Sequence, residues 1–283
     1  MTFRRLAAVA ATFMTLLSAP LAGAADAPKE IKIATEGAYA PWNFTNAEGK
    51  LDGLEIELAN DLCARMKIKC TIVAQNWDGL IPSLTVGKFD VIMASMFITP
   101  KRLETIDFTQ PYAVDPSGFA VAKNSDLGKL GISKEKFKLE DEAASKAAIE
   151  KLKPLLKGKV VGVQSGTTNL DFLKKYFADT VEIREYKTTE QHDLDLAAGR
   201  VDALFAQQTA LAATLAKPEF ADYTIAGPGF VGGVFGLGTG AGLRKEDKAL
   251  KDMFNKAIDA AIADGTIKRI SEKWVHTDVT PVK

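Results

Sequence analysis

Apolar residues along this chain recur either every second position or every three to four, and the two spacings take turns. Residues 31–35 (IKIAT) alternate as a half-buried strand does. Residues 54–66 place Leu54, Leu58 and Leu62 four apart, the stripe of an amphipathic helix. Between them, 44–53 reads as a hairpin turning at 47–50. Residues 71–74 form a second strand, a helix opens at Trp77 and is ended by 87–90 (GKFD), and the apolar run 91–96 (VIMASM) predicts a buried third strand. A β-α-β-α-β order predicts a parallel sheet with ligand groups on the loops beyond the strand C-termini. Glu36, Tyr39, Trp77 and Ser95 all fall on such loops.

The pattern then repeats. Residues 113–123 (AVDPSGFAVAK) predict a strand crossing to new territory, and the Lys-, Glu- and Ala-rich stretch 124–157 reads as helical and solvated. Strands at 158–163, 181–186, 201–205 and 223–226 interleave with helices at 170–177, 189–199 and 209–216. A glycine-rich passage, 227–242, follows. A second β-α-β set bracketed by two crossings predicts a second lobe inserted into the first. Its bounds are 115–228, with a helical insertion at about 124–157; residues 26–114 and 229–283 make the first lobe. The C-terminal stripe of Leu250, Phe254, Ala257, Ile258 and Ala261 would return to that first lobe.

Composition adds little until the N-terminus is considered. Arg4 and Arg5 precede an apolar stretch, 6–21, too short to span a bilayer comfortably, and Ala22-Gly23-Ala24 resembles a cleavage site. The reading is a signal peptide over 1–24, an exported chain and a periplasmic location. Removing it takes two arginines and no acid, so the formal charge moves from +0 to −2. A near-neutral chain has no electrostatic footprint for nucleic acid. Cys63 and Cys70 are the two cysteines, and in an oxidising compartment they read as a disulfide. Two thiols with only His192 and His276 make a poor metal set, and neither metal nor cofactor is expected.

Two segments carry candidate chemistry. After the 91–96 run, Thr99 suits a helix N-cap and Pro100 the first helical position, which puts Arg102 in the first turn. A cation there opposes the helix dipole, so helix stability does not explain it. A bound carboxylate would, since the guanidinium fork matches two oxygens; a solvated surface arginine is the alternative. The second segment, 164–169 (QSGTTN), joins a strand to a helix N-terminus through a glycine and two hydroxyls. That is an anion-binding geometry or a plain structural cap, and it lacks the phosphate-loop pattern G-x-x-x-x-G-K.

The motif S-x-x-I-T-x-x-R (Ser95, Ile98, Thr99, Arg102) followed by D-F-T-x-P-Y (Asp107 to Tyr112) resembles the periplasmic polar-amino-acid and opine-binding proteins of ABC importers, solute-binding protein family 3. The ending Gly265-Thr266-Ile267, Ile270, Trp274 is similar to that family's closing signature. The resemblance implies a type II periplasmic-binding-protein fold, α/β, of two lobes joined by a two-stranded hinge and closing on a small molecule. It implies a membrane permease with an ATPase as partner, a monomer, and no catalysis; a dehydratase-like enzyme on the same fold is the distant alternative. Arg102 and the loop of Thr167, Thr168 and Asn169, with Gln164 nearby, would hold the ligand carboxylate. Tyr39 and Trp77 would flank the rest, with core packing as the other reading of each. Glu36, or less favourably Glu55, would meet a distal cation. Ala94, Ser95, Met96, Phe97, Ser117 and Gln207 complete the expected lining. Gln207 stands where relatives that bind ordinary α-amino acids carry an acid for the ammonium, and Ala94 and Phe97 replace small hydroxyl residues. Both departures resemble the opine-binding branch, whose ligands have a substituted α-nitrogen. An opine is therefore expected, with lysine, arginine, ornithine or histidine as alternatives.

Overall fold

Alternation decides the first sheet. In the strand Glu30–Thr35, Ile31 and Ile33 are buried while Glu30 and Lys32 face water. This computed structural model describes residues 28–281, so the signal segment assigned to 1–24 lies outside the described residues. Glu30–Thr35 pairs in parallel with Lys69–Ala74 on one side and with Val91–Ile92 on the other. Gly242–Leu243 and Asp107–Phe108 complete five strands, Gly242–Leu243 running antiparallel to both its neighbours. The helices Leu54–Met66, Lys248–Ala263 and Thr266–Val275 pack on one another and bury Leu58, Leu62, Phe254, Ile258 and Ile270 in one cluster. Among the described residues no helix is long and apolar enough to cross a membrane.

The second sheet has six strands, in the order Glu182–Tyr186, Val160–Gln164, Ala203–Gln207, Ser117–Ala122, Tyr223–Val231 and Ile132–Lys138. Its core is aromatic: Phe172 stacks on Phe205 at 4.8 Å, and Phe119, Phe230 and Phe235 surround them. The chain passes between the sheets twice, after Phe108 and after Val231. The two passages lie side by side, with Tyr112 N donating to Thr239 O (2.9 Å) and Thr239 N to Ala113 O (2.8 Å). Two α/β lobes on a paired hinge is the type II architecture.

Three elements differ from expectation. The run 91–96 stays in the sheet only for Val91–Ile92. Met93 N still bonds to Ala34 O, but by Ser95 the backbone has turned to φ 49°, and Ser95 N donates to the Glu55 carboxylate at 2.7 Å. A buried acid has drawn the chain out of the ladder. The stretch 124–157 is not helical throughout: Ile132–Lys138 is a strand on the sheet edge, and only Glu142–Leu156 forms a long helix. That helix is no free-standing solvated one, since Ala148, Ile149, Leu152 and Leu156 are buried. The strand foreseen at 223–226 extends to Val231 through a register shift against Ser117–Ala122.

Two local features carry stability. Cys63 and Cys70 are bonded, linking the end of Leu54–Met66 to the strand Lys69–Ala74. At the hinge, Asp115 accepts from Thr209 Oγ1 (2.5 Å), and Thr209 Oγ1 accepts from the indole of the fully buried Trp42 (2.8 Å). Burial raises the Asp115 carboxyl to about 7, opposed by the Thr209 bonds and by Lys136.

Replacing both cysteines by serine is expected to cost roughly 2–3 kcal/mol by chain entropy for so short a loop, measured by urea unfolding. Asp115 gives a pH signature. Its folded pKa lies above its unfolded value, so the folded state holds the extra proton and stability falls as pH rises from about 4 to about 7. Asp115→Asn removes that share of the slope, on the order of 4 kcal/mol between the two ends. Unfolding curves at pH 4.5 and 7.5 for both chains check it; equal slopes would reject the assignment.

Candidate functional site

Thr99, Pro100 and Arg102 fold as the local chemistry requires. Thr99 Oγ1 accepts from Arg102 N at 3.3 Å, Pro100 takes the first helical position, and the helix runs Pro100–Leu103. The Arg102 guanidinium turns back toward the cleft. Nη1 donates to Phe97 O at 2.9 Å, and the guanidinium carbon lies 5.3 Å above the Trp77 ring. Burial lowers its pKa to about 10, with Asp171 pulling the other way, so the group stays charged at neutral pH. Among the described residues no carboxylate lies within ion-pair distance of it.

The opposing wall comes from the second lobe. Thr167 caps the helix Thr168–Tyr176: its hydroxyl donates to Gln164 O (2.7 Å) and accepts from Leu170 N (3.3 Å). The amides of Thr168 and Asn169, in the first turn, have no carbonyl partner within the helix. Trp77 joins the two walls, its Nε1 donating to Gly166 O at 3.2 Å. Gly166 sits at φ +67°, a backbone conformation that residues with a side chain rarely adopt. The arrangement offers a guanidinium from one lobe and a helix N-terminus from the other, a receptor for a carboxylate.

Away from that end the cleft changes character. Glu36 accepts from Gln164 Nε2 at 2.7 Å, and burial raises its carboxyl to about 7. Gln207 ends the strand Ala203–Gln207, and its Oε1 accepts from Tyr39 OH and from Ser95 Oγ, both at 2.9 Å. Its Nε2 is buried without a partner. Glu36–Gln164 and the Gln207 bonds cross from lobe to lobe, as does Thr189 Oγ1 to Ala38 O (3.3 Å).

Of the predicted residues, Glu36, Tyr39, Trp77, Ala94, Ser95, Phe97, Arg102, Gln164, Thr167, Thr168, Asn169 and Gln207 share one cleft. Met96 does not: it packs into a core cluster with Leu80 and Phe108. Nor does Ser117, which is fully buried in its sheet opposite Gln207. Glu55 lies beneath the site, fully buried, its carboxylate accepting from Asn43 Nδ2 (2.6 Å), Ser95 N and Tyr112 OH, so it is not open to a ligand. Trp77 is engaged by Arg102 rather than paired face to face with Tyr39. Thr189, His192, Phe205 and Ala206 also line the cleft and were missed. Thr189 and His192 follow the strand Glu182–Tyr186, so the loop-beyond-strand rule that picked Glu36 and Trp77 reaches them too.

The chain is similar to known proteins. The chain is 50% identical over 277 residues to the octopine-binding periplasmic protein of Rhizobium meliloti, covering 91% of this chain and 94% of that one. It is 38% identical to the histidine-binding periplasmic protein of Salmonella typhimurium, over 96% of this chain and 97% of the relative. Its fold matches an ancestral arginine-binding protein bound to arginine with a TM-score of 0.72 and 30% identity, across 87% of this chain and 98% of that one. Residues 31–277 match the family model for bacterial extracellular solute-binding proteins, family 3. With two lobes, a paired hinge and a charged cleft between them, the chain belongs to the bacterial extracellular solute-binding proteins, family 3.

Proposed function

We propose that the chain is the periplasmic capture component of an ABC importer, exported by its N-terminal signal, and that it takes an opine or related amino-acid derivative by closure of its two lobes. A membrane permease is the partner to which it delivers, and the ligand leaves unaltered. The observation that carries this reading is Arg102, a half-buried residue whose guanidinium has no acid partner among the described residues and faces the N-terminus of Thr168–Tyr176. A ligand carboxylate supplies the missing charge. Gln207 narrows the ligand class. Its oxygen is occupied by two hydroxyls, and it brings no negative charge for a free α-ammonium. A substituted α-nitrogen suits it better. The octopine-binding relative at 50% identity supports the same class. Glu36, poised to ionise near neutral pH, is matched to a guanidinium or ammonium at the far end.

Capture of a basic amino acid is the second reading, favoured by the histidine-binding relative and the arginine-bound structural neighbour. Calorimetric titration with arginine, lysine, histidine, octopine, nopaline and mannityl opines separates the two. Micromolar or tighter binding of an opine, recovered intact, is expected; tight binding of plain arginine with none of the opines selects the second reading. Under either, Arg102→Ala should weaken binding on the order of 100-fold or more, since two charge-assisted hydrogen bonds are lost. Retained affinity in that variant would remove the carboxylate receptor.

A further inference from the structure

Trp77 touches both halves of the carboxylate receptor, which come from different lobes. It opens the single helical turn Trp77–Gly79 at the start of Leu80–Thr85, and its ring packs against the first lobe's cluster of Leu80, Leu84 and Phe89. Gly79 N donates to Asn76 O at 2.9 Å and ties that turn. The ring face lies 5.3 Å from the Arg102 guanidinium carbon. The indole N–H, which lies in the ring plane, donates to Gly166 O at 3.2 Å. Gly166 immediately precedes Thr167, the N-cap of Thr168–Tyr176, whose first amides are the second lobe's half of the receptor. The two contacts use different parts of the ring, so neither excludes the other.

Other bonds between the lobes are of another kind. Glu36 to Gln164, and Tyr39 and Ser95 to Gln207, join side chains that line the cleft. A ligand entering there exchanges those bonds for its own. The Trp77 bond ends on a main-chain carbonyl and asks nothing of the ligand. Gly166 is exposed and Trp77 half-buried, so water reaches this bond and its net worth is that of one neutral hydrogen bond.

We propose that Trp77 is a positioning residue that latches the lobes: its N–H holds the Gly166 carbonyl only while the lobes are together, and so sets how long a captured ligand stays. The inference rests on the reading that the cleft closes on a ligand. Encounter takes place with the open form, so a bond confined to the closed form does not speed it. Its loss lets the lobes part sooner.

Trp77→Phe keeps a ring face for Arg102 and lacks the N–H. Association and dissociation rates of octopine and arginine are measured by surface plasmon resonance on the exported chain, unaltered and substituted, with circular dichroism as the check on folding. The expected result is dissociation about fivefold faster, by the same factor for each ligand that binds, with association within about twofold. An unchanged dissociation rate, a slower association, or factors that differ between the ligands overturns the inference. Lobe distances without ligand are measured in parallel, from spin labels at Lys88→Cys and Lys187→Cys, both exposed and one on each lobe. The short-distance population is expected to fall in Trp77→Phe. Its absence from the unaltered chain, or its persistence in the variant, overturns the inference even where only one ligand binds. If neither ligand binds the unaltered chain, the capture reading fails, and the lobe distances still decide the latch.

Discussion

A positive charge drawn back from water, with no acid within ion-pair distance among the described residues, sets the terms for the rest of this molecule. Desolvating Arg102 is unfavourable, and among the described residues its guanidinium is met by the Phe97 carbonyl and the face of Trp77. Neither offsets a full charge. Trp77 in turn reaches Gly166 of the other lobe, so the geometry around the cation is coupled to how the lobes meet. A ligand that brings an anion to this point improves the electrostatics of both walls at once, which is what hinge closure requires of it.

Beneath the cleft lies a carboxylate of the opposite kind. Glu55 is fully buried, and three donors from separate parts of the chain satisfy it: Asn43, Ser95 and Tyr112. Burial raises its pKa, and the three bonds pull back against that. Its role is architectural. By capturing the Ser95 amide it turns the chain out of the sheet after Ile92, and that turn presents the Ser95 hydroxyl to Gln207. One acid shapes the first lobe's rim, while another, Glu36, remains at the surface of the cleft beside Gln164.

The sequence was legible wherever a local rule governs. The Thr99 cap, Pro100, the Leu54–Leu62 stripe and the loops beyond parallel strands all follow from neighbours within a few residues. The errors fall where a distant partner decides. Val91–Met96 looks like one strand until Glu55, some forty residues earlier, claims Ser95. Met96 and Ser117 were placed at the site by resemblance, and packing assigned both side chains to the interior. The strand Ile132–Lys138 was hidden by its charge: four of its seven residues are Lys or Glu, and Phe137, against Phe230, is its main apolar anchor. His192 was weighed only as a metal ligand, because its place on the cleft wall comes from the packing of the helix Thr189–Ala197, which no spacing reveals.

That charged strand has a consequence of its own. It occupies the outer rim of the six-stranded sheet, and its free side carries backbone groups able to recruit a strand from another molecule. Lys134, Lys136 and Lys138 stand exposed along it. Two copies meeting rim to rim would oppose like charges, so polymerisation through this margin is discouraged even when the protein is crowded.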